Sequence, residues 1–219
     1  MTFRPPDLRD VPLPYVHVDP RFVVVDKPSG LLSVPAKDPT ILDHVKARVK
    51  TDFPQATGPM SVHRLDMETS GLLLVALDPE AHRDLSLQFS ERRVDKRYAA
   101  LVAGGLVGER GRVDLPLRLD PDRRPLQVVD PDRGRAAVTE YAVRCRRPEA
   151  TLLALRPLTG RTHQLRVHCA HGLGCPILGD RLYGDPSSAP RLMLHAERLS
   201  FEHPTTYARV EVESPAPFD

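Results

Sequence analysis

His63-Arg64-Leu65-Asp66-Met67-Glu68-Thr69-Ser70-Gly71-Leu72-Leu73-Leu74 places Asp66 in a turn between Arg64 and a Thr-Ser-Gly bend. An unbroken apolar run, Leu72 to Leu77, follows at once. Such a run bounded by turn residues predicts a buried strand. A strand there would hold the turn rigidly, and rigid support is what a catalytic carboxylate requires. Taken alone, the same pattern also fits an aspartate that only caps the bend.

Outward from this stretch the periodicity alternates between strands and helices. Phe22 to Val25 predicts a strand entering a Lys27-Pro28-Ser29-Gly30 turn. Thr40-x-x-Asp43 resembles a capping box, with Leu42, Val45 and Val49 on one helical face. Asp78-Pro79-Glu80 supplies a cap, a first-turn proline and an acid, and Ala81, Leu85 and Phe89 repeat at helical spacing behind it. Lys96 to Ala103 predicts a strand. Residues 104–137 are rich in Pro, Asp, Gly and Arg and predict an exposed, irregular excursion with short strands, a composition common in functional loops. Val138 to Cys145 and Thr151 to Arg156 predict a hairpin. Thr162 to His171 predicts a helix closed by Gly172 as a left-handed cap. His195 to Phe201 and Tyr207 to Glu213 predict closing strands. The order of elements is that of an α+β fold, mostly antiparallel or mixed sheet with helices on its faces.

The bulk properties narrow the function classes. Hydrophobic residues make up 41% and charged residues 27% of 219, the balance of a soluble globular chain with room for a sizeable core. No apolar run approaches the roughly 18 residues of a membrane span. Residues 1–14 are Pro-rich and carry charges where a signal peptide would be apolar, which predicts a lead-in segment and retention in the cytoplasm. Cys145, Cys169 and Cys175 suit reduced thiols. Net charge is only +2, so global basicity does not announce a nucleic-acid binder. Of the 31 basic residues, however, 26 are arginine, whose planar fork suits phosphates and stacks on bases. Several arginines cluster beside the motifs, at positions 92, 93 and 97, 123 and 124, 133 and 135, and 144, 146 and 147.

Ordered motifs carry a more specific signal than any of these. His-Arg-Leu-Asp-x-x-Thr-Ser-Gly resembles the segment around the catalytic aspartate of RluA-type pseudouridine synthases. Asp26-Lys27-Pro28-Ser29-Gly30-Leu31, Lys96-Arg97-Tyr98, Gly160-Arg161-Thr162-His163-Gln164-Leu165-Arg166-Val167-His168 and Pro176-Ile177-Leu178-Gly179-Asp180 resemble further motifs of that family, in the same order. The similarity runs from about Val16 to the C-terminus. It implies one catalytic domain over residues 15–219, built on a long bent sheet with flanking helices and a central cleft, and no separate RNA-binding module before it.

The resemblance also implies roles. Asp66 would be the essential carboxylate, Arg166 its partner cation, and Tyr98 an aromatic that stacks on the base or helps remove the C5 proton. Leu165 would line the base pocket, and Arg64 would fill the space an extruded base vacates. The reaction would need no metal or other cofactor. The partner would be RNA and the enzyme a monomer. Leu31-Leu32-Ser33-Val34-Pro35, Leu115-Pro116-Leu117 and Arg124-Pro125 place the chain near a dual-specificity branch. That branch modifies a tRNA anticodon stem-loop, at uridine 32, and a 23S rRNA hairpin, at uridine 746. Two departures stand out: Cys169 to Cys175 is one residue longer than the usual pattern, and Gly134-Arg135 stands where Gly-Lys is more familiar. Two other classes are compatible with parts of the chain. One is a non-catalytic RNA-binding module, which would not require Asp66, Tyr98 and Arg166 together. The other is a metal-dependent hydrolase using His163, His168, Cys169, His171 and Cys175, which lack the spacing of the common zinc motifs.

Overall fold

The computed structural model describes residues 8, 10–35 and 43–218. In chain order the elements are β1 (Tyr15–Val18), β2 (Phe22–Lys27), α1 (Val45–Asp52), β3 (Ser70–Ala76), α2 (Pro79–Ser90), β4 (Asp95–Ala103) and β5 (Arg110–Asp114). After them come β6 (Leu117–Leu119), β7 (Gln127–Val129), β8 (Val138–Arg146), β9 (Ala150–Pro157), α3 (Gln164–Val167), β10 (Leu194–Glu202) and β11 (Arg209–Glu213). Strands dominate and helices are few, which makes the fold α+β. The chain forms two compact units, residues 1–95 with 196–215 and residues 96–195 with 216–219.

In the first unit, β1, β2 and β3 are neighbours in antiparallel order, with β2 and β3 in register from Phe22 opposite Ala76 to Lys27 opposite Gly71. Every residue of β3 is buried, as the apolar run predicts. Each buried Leu or Val contributes about 1.5–3 kcal/mol over leaving it in water. Phe22, Leu72, Leu74, Leu85, Leu199 and Phe201 form the core on one face. Helix α2 closes that face and starts as its sequence dictates. Asp78 accepts the backbone N–H groups of Glu80 and Ala81, both at 3.0 Å, and Pro79 opens the first turn. At the start of β3, Gly71 has φ +106°, and a Cβ there would stand 2.3 Å from the carbonyl oxygen of Ala196. Only glycine permits that approach between β3 and β10.

Helix α1 corrects the expected capping box. Thr40 and Leu42 lie outside the described residues, and the helix begins at Val45 with His44 as its cap, the imidazole Nδ1 accepting from the Ala47 N–H at 3.0 Å. Asp43 is no N3 acid. It takes the Arg48 guanidinium in a two-bond fork, Nε at 2.7 Å and Nη2 at 2.6 Å. Val45 and Val49 face inward as expected. Of the N-terminal lead-in, residues 1–7 and 9 lie outside the described residues.

In the second unit, β4, β9, β8 and β5 pair antiparallel in that order. The β8–β9 hairpin falls where the alternation predicts it, with a bulge between Val143 and Cys145 that leaves Cys145 exposed. The excursion at 104–137 contains β5 and a small antiparallel ribbon of β6 and β7. The predicted helix Thr162–His171 is corrected in two ways. His163 has φ +54°, and the helix starts only at Gln164. The Gln164 side chain explains the delay: its Oε1 accepts from the Thr159 hydroxyl at 2.7 Å and the Arg161 N–H at 3.0 Å, holding the approach in a bend. After Val167 the coil widens into a π turn, His168–Gly172, where the Leu173 N–H reaches the His168 carbonyl at 3.0 Å. A π turn absorbs one extra residue within a helical segment, and this one overlaps Cys169 to Cys175, the stretch that reads as one residue longer than the family pattern. Gly172 is not the left-handed cap; that conformation falls on Gly174, φ +66°. Gly172 is small because a Cβ there would meet Val113 Cγ1 at 2.5 Å.

Candidate active site

The loop carrying Asp66 is bound to the turn after β2 by side chains that reach its backbone on both flanks. Lys27 is fully buried, and its ammonium donates to the carbonyls of Pro28, Leu31 and Met67 at 3.0, 2.8 and 2.9 Å. An ammonium has three donors, so each has a carbonyl oxygen, and the costly burial of the charge is compensated. Met67 O also accepts from the Gly30 N–H at 2.8 Å. Ser29 Oγ donates to the Glu68 carbonyl at 2.6 Å. Ser33 Oγ donates to the Leu65 carbonyl at 2.8 Å and accepts the Leu65 N–H at 3.1 Å. The turn itself is closed by the Thr69 N–H on the Asp66 carbonyl at 3.1 Å. Backbone groups at 65, 67 and 68 are therefore all tied to the Lys27–Ser33 segment. Asp66 is half-buried on this platform, Leu65 points inward and Arg64 is exposed.

The second unit positions the remaining expected residues. Leu165 and Arg166 are both buried on α3, and Tyr98 is buried on β4 with its backbone opposite Leu155. Arg166 is held by Asp180 in a fork, Nε to Oδ2 at 2.8 Å and Nη2 to Oδ1 at 2.5 Å. Asp180 Oδ1 also accepts the backbone N–H groups of Leu182 and Tyr183 at 2.9 and 3.1 Å. The Arg166 guanidinium carbon lies 5.5 Å from the centroid of the Tyr183 ring. Tyr183 OH bridges His163 Nδ1 at 2.7 Å and the Gln127 N–H at 2.8 Å. Gln164 Nε2 donates to the Val138 carbonyl and Thr139 Oγ1 at 2.9 and 3.0 Å, tying α3 to β8. A guanidinium fixed this way stays charged while buried and keeps one orientation.

The structure thus places Arg64 and Asp66 on one loop, and Leu165, Arg166 and Tyr98 on α3 and β4 of the other unit. It adds residues whose roles the sequence pattern did not disclose. Asp180 stands in a motif, but nothing in that motif says that its partner is Arg166. Lys27 was legible as a turn residue, and only its complete burial shows that it clamps the loop. Of the histidines and cysteines weighed as a metal site, His163 is engaged with Tyr183 OH, and His168 and Cys169 are buried. His168 bonds Thr139 Oγ1 and the Leu115 carbonyl, at 2.9 and 3.2 Å, and burial pushes its pKa down. Burial likewise pushes the Cys169 thiol well above its usual range. Among the described residues, no group of three or more His, Cys, Asp or Glu side chains is arranged to hold a metal ion, and no helix is long and apolar enough to cross a membrane.

The family model for RNA pseudouridylate synthase matches residues 21–171. The chain belongs to that family, a class of isomerase. It is 46% identical to the dual-specificity RNA pseudouridine synthase RluA of Pasteurella multocida, over 100% of this chain and 99% of that one. It is also 46% identical to the protein of the same name from Escherichia coli K12, over 93% of each. Among solved structures, human RNA pseudouridylate synthase domain containing 1 superposes with a TM-score of 0.79 at 32% identity, covering 99% of this chain and 88% of that one.

Proposed function

We propose that this chain isomerises a chosen uridine of a structured RNA loop to pseudouridine, residues 15–219 acting as one catalytic domain. The N1–C1′ bond breaks, the base turns within the pocket, and C5 joins C1′. Atoms and electrons balance within the substrate, so the step calls for no external oxidant, reductant or group donor. Asp66 is the essential carboxylate, acting by attack at C1′, by addition to the base or by taking the C2′ proton. Arg166 presents two edges. Asp180 takes the Nε–Nη2 edge, and in this proposal the other edge offers Asp66 a fixed positive partner. Tyr98 stacks on the base, Leu165 lines its pocket, and exposed Arg64 enters the gap left when the uridine leaves its stack.

The observation that carries this reading is the clamp on the Asp66 turn. A solvated surface acid has no need of a buried lysine and two serines holding the backbone around it. The relatives' name, dual-specificity RNA pseudouridine synthase, supports more than one RNA target; in this reading the targets are a tRNA anticodon stem-loop and a 23S rRNA hairpin, and the enzyme works as a cytoplasmic monomer. Tritium release from transcripts of both RNAs, each carrying 5-tritiated uridine, tests reaction and target together. The wild-type protein releases tritium from both. Asp66→Asn releases none while still binding RNA, and substantial turnover by that variant would remove Asp66 from its role.

A further inference from the structure

The pairing of strand β3 with the segment 60–61 ends on a histidine ring. On the side of β3 facing the segment 60–63, the Ala76 N–H donates to the Met60 carbonyl at 2.9 Å, and Ser61 bridges Val75 in antiparallel fashion. Two residues back along the strand, the Leu74 N–H points to the same side, as alternation requires. A continuing ladder would offer it a backbone carbonyl. The chain instead turns away there toward Asp66, and the Leu74 N–H donates to His63 Nε2 at 2.9 Å. The imidazole therefore stands in for a backbone carbonyl where the pairing of β3 with this segment stops and the chain runs on to Asp66. To accept at Nε2, the neutral ring carries its proton on Nδ1. The ring plane is fixed as well, stacked on Phe89 of α2 with centroids 4.4 Å apart and planes 17° apart.

We infer that His63 is a positioning residue for Asp66, using its ring nitrogen as the last acceptor that the segment before the loop offers β3, to set where the loop departs from the strand. This rests on the reading of Asp66 as the catalytic carboxylate. The Lys27 and serine clamp fixes the loop from the β2 side, and His63 fixes it from the β3 side, three residues before Asp66. Leu74 is fully buried, so water cannot replace the lost acceptor. A small displacement of a reacting group is enough to slow a reaction by about 100-fold, and the loop's exit angle is the kind of lever that produces one.

Two substitutions separate the two contacts. His63→Phe keeps a ring for Phe89 and removes the acceptor. His63→Gln removes the ring and returns an acceptor, because Gln Oε1 lies as many bonds from Cα as His Nε2. Both are assayed for kcat and KM by tritium release, for RNA affinity, and for thermal unfolding, beside wild type and Asp66→Asn. The expected result is a fall in kcat of about 10- to 100-fold in His63→Phe, with KM and RNA affinity near wild type, and substantial recovery of kcat in His63→Gln. Equal kcat in His63→Phe and wild type overturns the inference. So does a loss in His63→Gln as deep as in His63→Phe, because returning the acceptor would then restore nothing. Asp66→Asn serves as the separate control: if it still turns over, the catalytic assignment fails, and if it is dead while His63→Phe is fully active, only the positioning role fails.

Discussion

Replacing Asp180 by alanine isolates the contact that locks Arg166. The two side chains are 2% and 0% exposed, so the guanidinium left behind stays out of water. Breaking a buried pair by removing one partner costs about 3–5 kcal/mol. The N–H groups of Leu182 and Tyr183 also lose their acceptor, at about 1 kcal/mol or more each. Total stability of a natural protein is about 5–15 kcal/mol, so the loss is a large fraction of it. At about 2–4 °C per kcal/mol for a chain of this size, the melting temperature falls by on the order of 10 °C or more. Circular dichroism melts and urea titration measure this directly. A variant melting with wild type would refute the claim that the pair is desolvated. A double variant, Arg166→Met with Asp180→Leu, extends the test, since an apolar pair of similar volume removes the stranded charge and returns much of the stability. Turnover stays lost in that double variant if Arg166 also serves Asp66; a folded, fully active double variant would reduce Arg166 to a structural residue.

Lys27→Met leaves three carbonyls without their common donor, and should lower stability by about 1–3 kcal/mol and reduce kcat more than RNA affinity, as read by urea titration and tritium release. Unchanged values in both would dissolve the clamp. Stability should also fall on acidification through two buried histidines. Desolvation holds the His168 pKa below its ordinary 6.5, against the opposing Leu115 carbonyl and Asp114, and lowers His44 likewise, with Lys46 adding to the effect and Asp43 opposing it. Below 6.5 the unfolded chain binds protons that the folded chain refuses, so stability is full above that pH and declines as pH drops toward the depressed folded values. Urea midpoints measured between neutral and acidic pH should show this slope, reduced in His168→Gln; identical slopes would take His168 out of the account.

The elements that the sequence makes legible are those written in short-range interactions. The apolar run after Ser70 is strand β3, Asp78-Pro79 starts α2, and alternation marks the β8–β9 hairpin, because periodic burial and a cap bond depend on residues within a few positions. The errors fall where a particular side-chain contact overrides such patterns. Gln164 holds the approach to α3 in a bend, and the close pass of Val113 explains Gly172 better than a cap does. The start of α1 shifted because Asp43 took Arg48 in place of a backbone N–H.

The sequence alone determined that an aspartate sits in a turn ahead of a buried strand, and that the ordered motifs belong together, since residue types and spacing carry that information. Tertiary structure decided who holds what. Lys27 reaches Met67 across 40 positions, and Arg166 finds Asp180 across 14. His63 replaces a carbonyl only because the chain leaves β3 where it does. A buried charge or N–H must find a partner, but which one it finds depends on the folded path of the backbone, and no local pattern encodes that.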